Sequence, residues 1–458
     1  MTNSRPIAVF LLVLDLTATA LVFILVSHLR GVGSGDSTLA APMAALIFAI
    51  YLIQGYKAQT DLLSVDYASQ HSIAVLGAMV ATLLLTFVVA PSGYELFLPQ
   101  SSRLVIVLSF VLLIPLTISY RRVIYLRVTA SQEARSLVFL GDHDSCGQFR
   151  QECARMHMRQ QVIFTTSKAE SAAPFAIPGT VQRRTFEPVL GEIESGTLGV
   201  EAIVLRETAR ELPSDISRRL VQLYFSGVPT YTLELFHQVY WQKIPVYRIN
   251  QTWLFQEGFE IAREPVFERL KRLADIGLAA FGLVLAAPLV LAGALAIWFD
   301  DRGPIFFSQT RIGRSHQPFR LLKLRTMRAG ADTKGDLYTQ PGDSRITRVG
   351  NFLRTSRLDE LPQLWNVLRG DMSLIGPRAE WDRLVETYER DIPCYHFRHL
   401  VKPGITGWAQ VNYPYGANLD DAVRKLEYDL YYIRHFSFLL DATIVLKTIH
   451  IMLFGKGR

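Results

Sequence analysis

Cysteine is scarce. The 458 residues hold three, Cys146, Cys153 and Cys394, and no CxxC pair. That excludes a disulfide framework or a zinc ribbon and fits thiols kept in a reducing compartment. Charge is thin as well. Only 19% of the residues are Asp, Glu, Lys or Arg, against about 25% in soluble domains, so the chain is too apolar to be wholly soluble. The charge present leans positive, +7 at neutral pH. In a membrane protein this balance points to anionic lipid or a phosphorylated substrate, not to nucleic acid.

Long apolar runs are what the first third does have. A crossing needs about 20 mostly apolar residues. Ile7–Leu29, Ala40–Tyr56, Ser72–Ala90 and Leu104–Tyr120 qualify, the second being short. The first is too long for a cleavable signal, and three more follow it. Arg121, Arg122, Arg127 and Arg135 come after the fourth run, whereas the preceding loop Pro91–Ser102 has no Lys or Arg. The positive-inside rule therefore predicts a cytoplasmic location for everything after Tyr120, and for the N-terminus as well. Asp15, inside the first run, is either a functional intramembrane carboxylate or a group that packs against another helix.

From Ser136 the pattern becomes soluble. Ser136–Leu140, Gln161–Thr165, Glu201–Leu205 and Val228–Leu233 read as strands, with helical stretches such as Ser214–Phe225 between them. Alternating strands and helices predict a parallel sheet in a Rossmann-like α/β domain. The turn after the first strand runs Gly141-Asp-His-Asp-Ser-Cys-Gly147 and not GxGxxG. A structural or regulatory role is favoured over a dinucleotide site, and His143 with Cys146 does not make a metal site.

The last third mixes arginines, glycines and acids. Phe267–Phe299 starts with Glu268, Arg269, Lys271, Arg272 and Asp275, then runs uncharged from Ile276 with Pro288 in its middle. The segment beyond it is dense in cations, among them Arg302, Arg311, Arg314, Arg320, Lys323, Arg325 and Arg328. A proline removes a helix hydrogen bond and favours a kink. A re-entrant helix, broken at Pro288 and returning to the cytoplasmic face, is therefore preferred over a fifth span. Lys271 and Arg272 would sit at the interface and attract a lipid phosphate.

GPIFFSQTRIG (Gly303–Gly313), PFRLLKLRTM (Pro318–Met327), RITRVGNFLRTSRLDELPQLWNVLRGDMSLIGPR (Arg345–Arg378) and VKPGITGWAQVN (Val401–Asn412) follow in order. Asp359 and Glu360 are adjacent carboxylates among cations, as expected where phosphoryl groups meet a divalent metal. The plainer reading makes Asp359 an N-cap of a helix over Leu361–Leu368, with Glu360 favouring its dipole and Gly370 closing it. Arg354 and Arg378 are either phosphate ligands or surface charges. From spacing alone the chain reads as a membrane-embedded enzyme acting on phosphates.

These motifs resemble the bacterial sugar transferase family, the polyprenyl-phosphate sugar-1-phosphate transferases, over about Phe267–Arg458. The preceding regions are similar to its large, exopolysaccharide- and O-antigen-initiating members. The resemblance implies transfer of a sugar-1-phosphate from a UDP-sugar to undecaprenyl phosphate with release of UMP, and Mg²⁺ as cofactor. It implies Asp359 as nucleophile, Glu360 as metal ligand, Arg354 and Arg378 as phosphate contacts, Lys323 and Arg325 as the KFR-type motif, and Pro288 as the re-entrant proline. Arg357 stands where the family often has Ser, Leu324 where it has Phe, and Ala379 follows GPR in place of Pro. The competing readings are a membrane-bound nucleotide-sugar dehydratase or epimerase, and a non-catalytic nucleotide-sugar-binding scaffold of an export complex. The expected architecture is a four-helix transmembrane bundle (1–125), the α/β domain (126–261) and an α-rich catalytic domain (262–458) with a re-entrant helix near 267–299. It would sit in the bacterial inner membrane, as a homodimer, with Phe436–Phe454 an interfacial helix or dimer contact.

Overall fold

Uninterrupted apolar runs satisfy their backbone internally as helices. The computed structural model describes residues 4–31, 39–56, 62–89, 103–132, 136–156, 158, 160–166, 184–206, 212–246, 265–328, 343–413, 416 and 418–454. The chain divides into two compact units, Met1–Trp241 and Gln242–Arg458. The first opens with α1 (Ser4–Leu29), α2 (Ala40–Leu52), α3 (Val65–Val89) and α4 (Arg103–Gln132). Of these, α1, α3 and α4 are long and apolar enough to cross a membrane. The second expected span is not: α2 has 13 residues, about 20 Å of helix against a hydrocarbon core of about 30 Å. Asp15 takes the packing role. Its buried carboxylate accepts hydrogen bonds from Tyr56 (2.5 Å), Tyr120 and Arg121 (2.5 Å), and Arg121 also donates to the Gly55 carbonyl (2.6 Å).

The same unit continues with β1 (Ser136–Leu140), α5 (His143–Arg155), β2 (Val162–Thr166), β3 (Arg184–Thr185), α6 (Phe186–Glu194), β4 (Val200–Leu205), α7 (Ser214–Phe225), β5 (Thr230–Thr232) and α8 (Leu233–Phe236). The five strands form one sheet in the order β3-β2-β1-β4-β5, and every pair is parallel, as expected. β1 is buried on both faces, which is why it reads as an unbroken apolar run. Leu137 and Phe139 pack with Phe149, Phe164 and Phe236, whereas Val138 and Leu140 pack with Val189, Leu190 and Leu220. Asp142 caps α5, accepting from the Ser145 amide at 2.9 Å, and pairs with Arg206. A carboxylate thus takes the helix terminus that a pyrophosphate uses in dinucleotide sites. Cys146 is buried, and the His143 side chain lies outside the described residues.

The second unit contains α9 (Pro265–Asp301), the hairpin β6 (Phe306–Ile312) and β7 (Pro318–Leu324), α10 (Arg348–Thr355), α11 (Gln363–Arg369), β8 (Ser373–Ile375), α12 (Asp382–Asp391), β9 (Gly404–Thr406), α13 (Trp408–Asn412), α14 (Leu419–Arg434) and α15 (Phe438–Phe454). It is helix-rich, with two two-stranded sheets, β6-β7 and β8-β9. The segment before α9 belongs to it. Ile244 and Val246 join the core of α12 and α14, and Lys243 forms a buried ion pair with Glu427 at 3.1 Å. The α9 helix stays α-helical through Pro288 for all 37 residues, so Pro288 makes no break in it. Near its start, Asp275 accepts from Ser373 Oγ (3.1 Å) and the Leu374 amide (3.0 Å). At its end Asp301 pairs with Arg325. A Cβ on Gly293 would lie 2.9 Å from Leu324, so that glycine permits close packing on β7. The outward side of α9 exposes Leu278, Phe281, Val284, Leu285, Leu291 and Phe299.

Candidate active site

Four short segments bring the charged residues together. β7 carries Lys323, and its register is pinned by buried Asn366 of α11. The Asn366 side chain accepts from the Leu322 amide (3.0 Å) and donates to the Arg320 carbonyl (2.8 Å). Thr347 caps α10 through the Gly350 amide at 2.9 Å. A Cβ on Gly350 would lie 2.0 Å from the Thr326 carbonyl oxygen, so only glycine lets α10 come this close to the chain after β7. Arg354 lies in the last turn of α10. Arg357 then adopts a left-handed φ of 58° and turns the chain into a 3₁₀ turn, Leu358–Glu360. That conformation is costly for a non-glycine residue.

Asp359 and Glu360 are both buried on this turn. The helix after them starts at Gln363, with Pro362 at its N-cap and no capping side chain. The capping reading of Asp359 is therefore set aside. Gly370 closes α11 at φ 95°, as its position predicts.

The two carboxylates have unlike surroundings. Glu360 Oε1 accepts from Lys323 Nζ and Arg378 Nη2, each at 3.0 Å, and Arg357 Nη1 stands 3.8 Å from Oε2. Burial pushes Glu360 up, but Lys323, then Arg378 and Arg357, outweigh it and hold the carboxyl well below its ordinary range. Among the described residues Asp359 has no ion pair. Burial pushes its carboxyl up; Lys323, Arg354 and Arg378 offset this in part, and Glu360 adds to it. One carboxylate is clamped as an anion and its neighbour is left unclamped.

Arg378 is held from behind. The Gly404 amide donates to the Pro377 carbonyl at 2.9 Å. Buried Arg398 donates to the Arg378 carbonyl at 3.0 Å and to Asp429 at 2.8 Å.

Lys323, Asp359, Glu360 and Arg378 thus meet, with Arg354 acting on Asp359 through its charge. Arg325 does not join them. It is buried on Asp301 at the end of α9. Lys271 and Arg272, expected at a lipid interface, are engaged inside the unit. Lys271 is buried on Asp441 and over the Phe436 ring. Arg272 donates to the Val367 (2.5 Å) and Leu368 (2.7 Å) carbonyls at the end of α11, where a helix dipole favours a cation. Pro288 lies mid-helix in α9. Sequence reasoning missed Arg357 as a third cation on Glu360, and Asn366 as the pin of β7. The i,i+3 spacing of Arg357 and Glu360 was the available signal for the first.

Carboxylate oxygens suit Mg²⁺, which commonly takes one or two of them and completes its shell with phosphate oxygens and water. Glu360 Oε1 is occupied by two cations, so Glu360 Oε2 and the Asp359 carboxylate are the oxygens that fit such an ion.

The model of a family described as "Bacterial sugar transferase" matches residues 266–455. The chain is 38% identical to a UDP-N-acetylgalactosamine-undecaprenyl-phosphate N-acetylgalactosaminephosphotransferase of Aeromonas hydrophila, over 59% of this chain and 63% of that one. It is 43% identical to a UDP-glucose:undecaprenyl-phosphate glucose-1-phosphate transferase of Escherichia coli, over 39% of each chain. A Caulobacter vibrioides protein of the same name is 44% identical over 39% of this chain and 68% of its own. The match therefore spans less than two thirds of the first two relatives.

Proposed function

The chain belongs to the bacterial sugar transferase family, and we propose that it transfers a sugar-1-phosphate from a UDP-sugar to undecaprenyl phosphate, the initiating step of a cell-surface polysaccharide. The observation that carries this reading is the division of labour in the dyad: Asp359 is buried without an ion pair among the described residues, while Glu360 gathers Lys323 and Arg378. Asp359 would attack the sugar-bearing phosphorus, forming an aspartyl–phosphorus bond as the bond to the bridging oxygen breaks and UMP leaves with the electron pair. A phosphate oxygen of undecaprenyl phosphate would then attack the acyl phosphate and return Asp359 as a carboxylate. Arg378, Lys323 and Arg354 supply fixed positive charge where phosphoryl oxygens gather negative charge. Mg²⁺, held by Glu360 Oε2, would supply charge neutralisation of the diphosphate.

Geometry supports a re-entrant α9 at the cytoplasmic face of the inner membrane. Its start is tied to β8 through Asp275 and its end to the chain after β7 through Asp301. A crossing helix would put these charged ends, and the folded unit they share, on opposite sides of about 30 Å of hydrocarbon. The sheet order of the first unit supports a Rossmann-like domain, and the Asp142 cap argues against a working dinucleotide site there. A dehydratase or epimerase is disfavoured on the same ground.

The test is release of UMP by purified protein with Mg²⁺, undecaprenyl phosphate and a panel of UDP-sugars. Wild type should turn over and become labelled by a donor carrying radioactive β-phosphate, and Asp359→Asn should do neither. Near-normal turnover in Asp359→Asn removes the nucleophile assignment.

A further inference from the structure

The turn of the β6–β7 hairpin holds two consecutive residues, Ser315 and His316, at left-handed φ of 53° and 61°. It presents His316 toward α12 and the 3₁₀ helix Tyr395–Leu400. There His316 Nε2 lies 2.7 Å from Glu389 Oε1, and His399 Nε2 lies 3.9 Å from the same oxygen. Ligand atoms of all three residues fall within 4.8 Å of one another. The His316 and His399 rings stand 4.6 Å apart. His399 is 6% exposed, and its Nε2 is a buried polar atom with no hydrogen-bond partner among the described residues. Such an atom costs free energy unless something pairs with it.

We propose that His316, Glu389 and His399 form a site for a borderline divalent transition metal such as Zn²⁺, separate from the Asp359–Glu360 dyad. Two imidazoles and one carboxylate suit Zn²⁺ over Mg²⁺, which prefers an all-oxygen shell. Metal–ligand bonds of about 2.0–2.1 Å in a tetrahedron set the donor atoms about 3.4 Å apart. The present 2.7 and 3.9 Å from the two imidazoles to Glu389 bracket that spacing. The buried Nε2 of His399 is the donor atom that the cluster offers from the protein interior. The charge of Arg398 is balanced by Asp429 at 2.8 Å and Glu380 at 3.9 Å. His316 is half exposed, which leaves an entry path and room for water as a fourth ligand. His316 is seven residues from Lys323, and the five steps from Pro318 to Lys323 along β7 alone cover roughly 17 Å at strand rise. A metal here clips the hairpin turn, α12 and the 3₁₀ helix together. That 3₁₀ helix also carries Arg398, which supports the Arg378 carbonyl.

The test uses the full chain in detergent, free of any affinity tag and stripped with chelator. It is titrated with Co²⁺ as a spectroscopic probe and then with Zn²⁺ in competition. One equivalent of Co²⁺ should bind with visible bands of tetrahedral intensity, and Zn²⁺ should displace it and raise the thermal midpoint. His316→Ala changes an exposed turn residue and should fold normally while weakening binding at least about tenfold. Asp359→Asn should bind Co²⁺ as wild type does, which separates this site from the dyad. Absence of saturable binding, or equal binding by His316→Ala, overturns the proposal.

Discussion

Arg378 reaches Glu360 through the same carboxylate oxygen that Lys323 takes, each at 3.0 Å. Two cations on one oxygen hold Glu360 as an anion, while the neighbouring Asp359 has no ion pair among the described residues. The pairing also has a stability consequence. Glu360 is depressed in the folded chain by Lys323, Arg378 and Arg357 against the cost of burial. Its contribution is then fully present above the unfolded glutamate pKa of about 4.3. It is lost as pH falls below that value toward the folded one. Wild-type stability should therefore fall with acidification below about pH 4.3 more steeply than that of Glu360→Gln. Thermal midpoints of both proteins across pH 3–7 (about) check this; parallel curves would contradict it. At neutral pH Glu360→Gln should be less stable, because it strands two cations that burial has partly desolvated.

Asp359 carries a pKa shift of opposite sign. Burial raises its carboxyl, and Arg354 is one of the charges that offset the rise. A nucleophilic carboxylate must be ionised, so turnover should be lost as pH falls through that raised pKa. Arg354→Gln removes an offsetting charge and should move the acid limb of the kcat profile to higher pH, besides lowering kcat. An unmoved limb with a lowered kcat would confine Arg354 to substrate contact.

Much of this was legible in the sequence, for identifiable reasons. β1 is buried on both faces and so reads as a bare apolar run, and Ser214–Phe225 is bracketed by Pro213 and Gly227. The dyad stood out because adjacent acids among arginines are chemically unusual. The partners of the other cations were not legible. Lys271 chose Asp441, 170 residues away, and Arg325 chose Asp301. Periodicity says which face is buried, not which carboxylate waits there. The same holds for His316, Glu389 and His399, whose spacings match no metal motif because three separate elements supply them. The short α2 escaped as well, since composition does not reveal that the helix stops at Leu52.

Asn366 is a predicted control point outside the charges. It joins α11 to β7 through two hydrogen bonds and is 1% exposed. Asn366→Leu keeps the volume but strands the Leu322 amide and the Arg320 carbonyl. It should cost about 1–3 kcal/mol of stability. It should also lower kcat, since Lys323 is the next residue along the strand. Asn366→Asp retains an acceptor for Leu322 and should recover part of the stability. Full activity in Asn366→Leu would show that the strand holds its register without the pin.

Truncation separates the two units. A protein beginning at Gln242 keeps the buried Lys243–Glu427 pair and the packing of Ile244 and Val246 on α12 and α14. One beginning at Ala262 loses all of it and leaves Glu427 buried without Lys243. Both contain the dyad and should retain some turnover in membranes. The longer one should have the higher thermal midpoint, by an amount set mainly by two buried aliphatic side chains at about 1.5–3 kcal/mol each. Equal midpoints would mean that the segment before α9 is a tether and not part of the catalytic core.

The topology of α9 decides where the reaction happens. Its outward face is apolar, yet both charged ends, Asp275 and Asp301, bond within one folded unit. The proposed re-entrant placement requires α9 to bend in the bilayer, and Pro288 would ease such a bend by leaving one backbone carbonyl without its helical donor. Pro288→Leu restores that donor, adds helix propensity and favours a straight rod. Part of the population should then try to cross the bilayer, which would pull Asp301 and Arg325 away from the face that holds Asp275. Turnover should fall, and a cysteine placed at Ser315 should become labelled from the periplasmic side in Pro288→Leu cells while staying protected in the parent. Unchanged labelling with unchanged turnover would mean that packing against β7 and α11, not the proline, keeps both ends of α9 on one side.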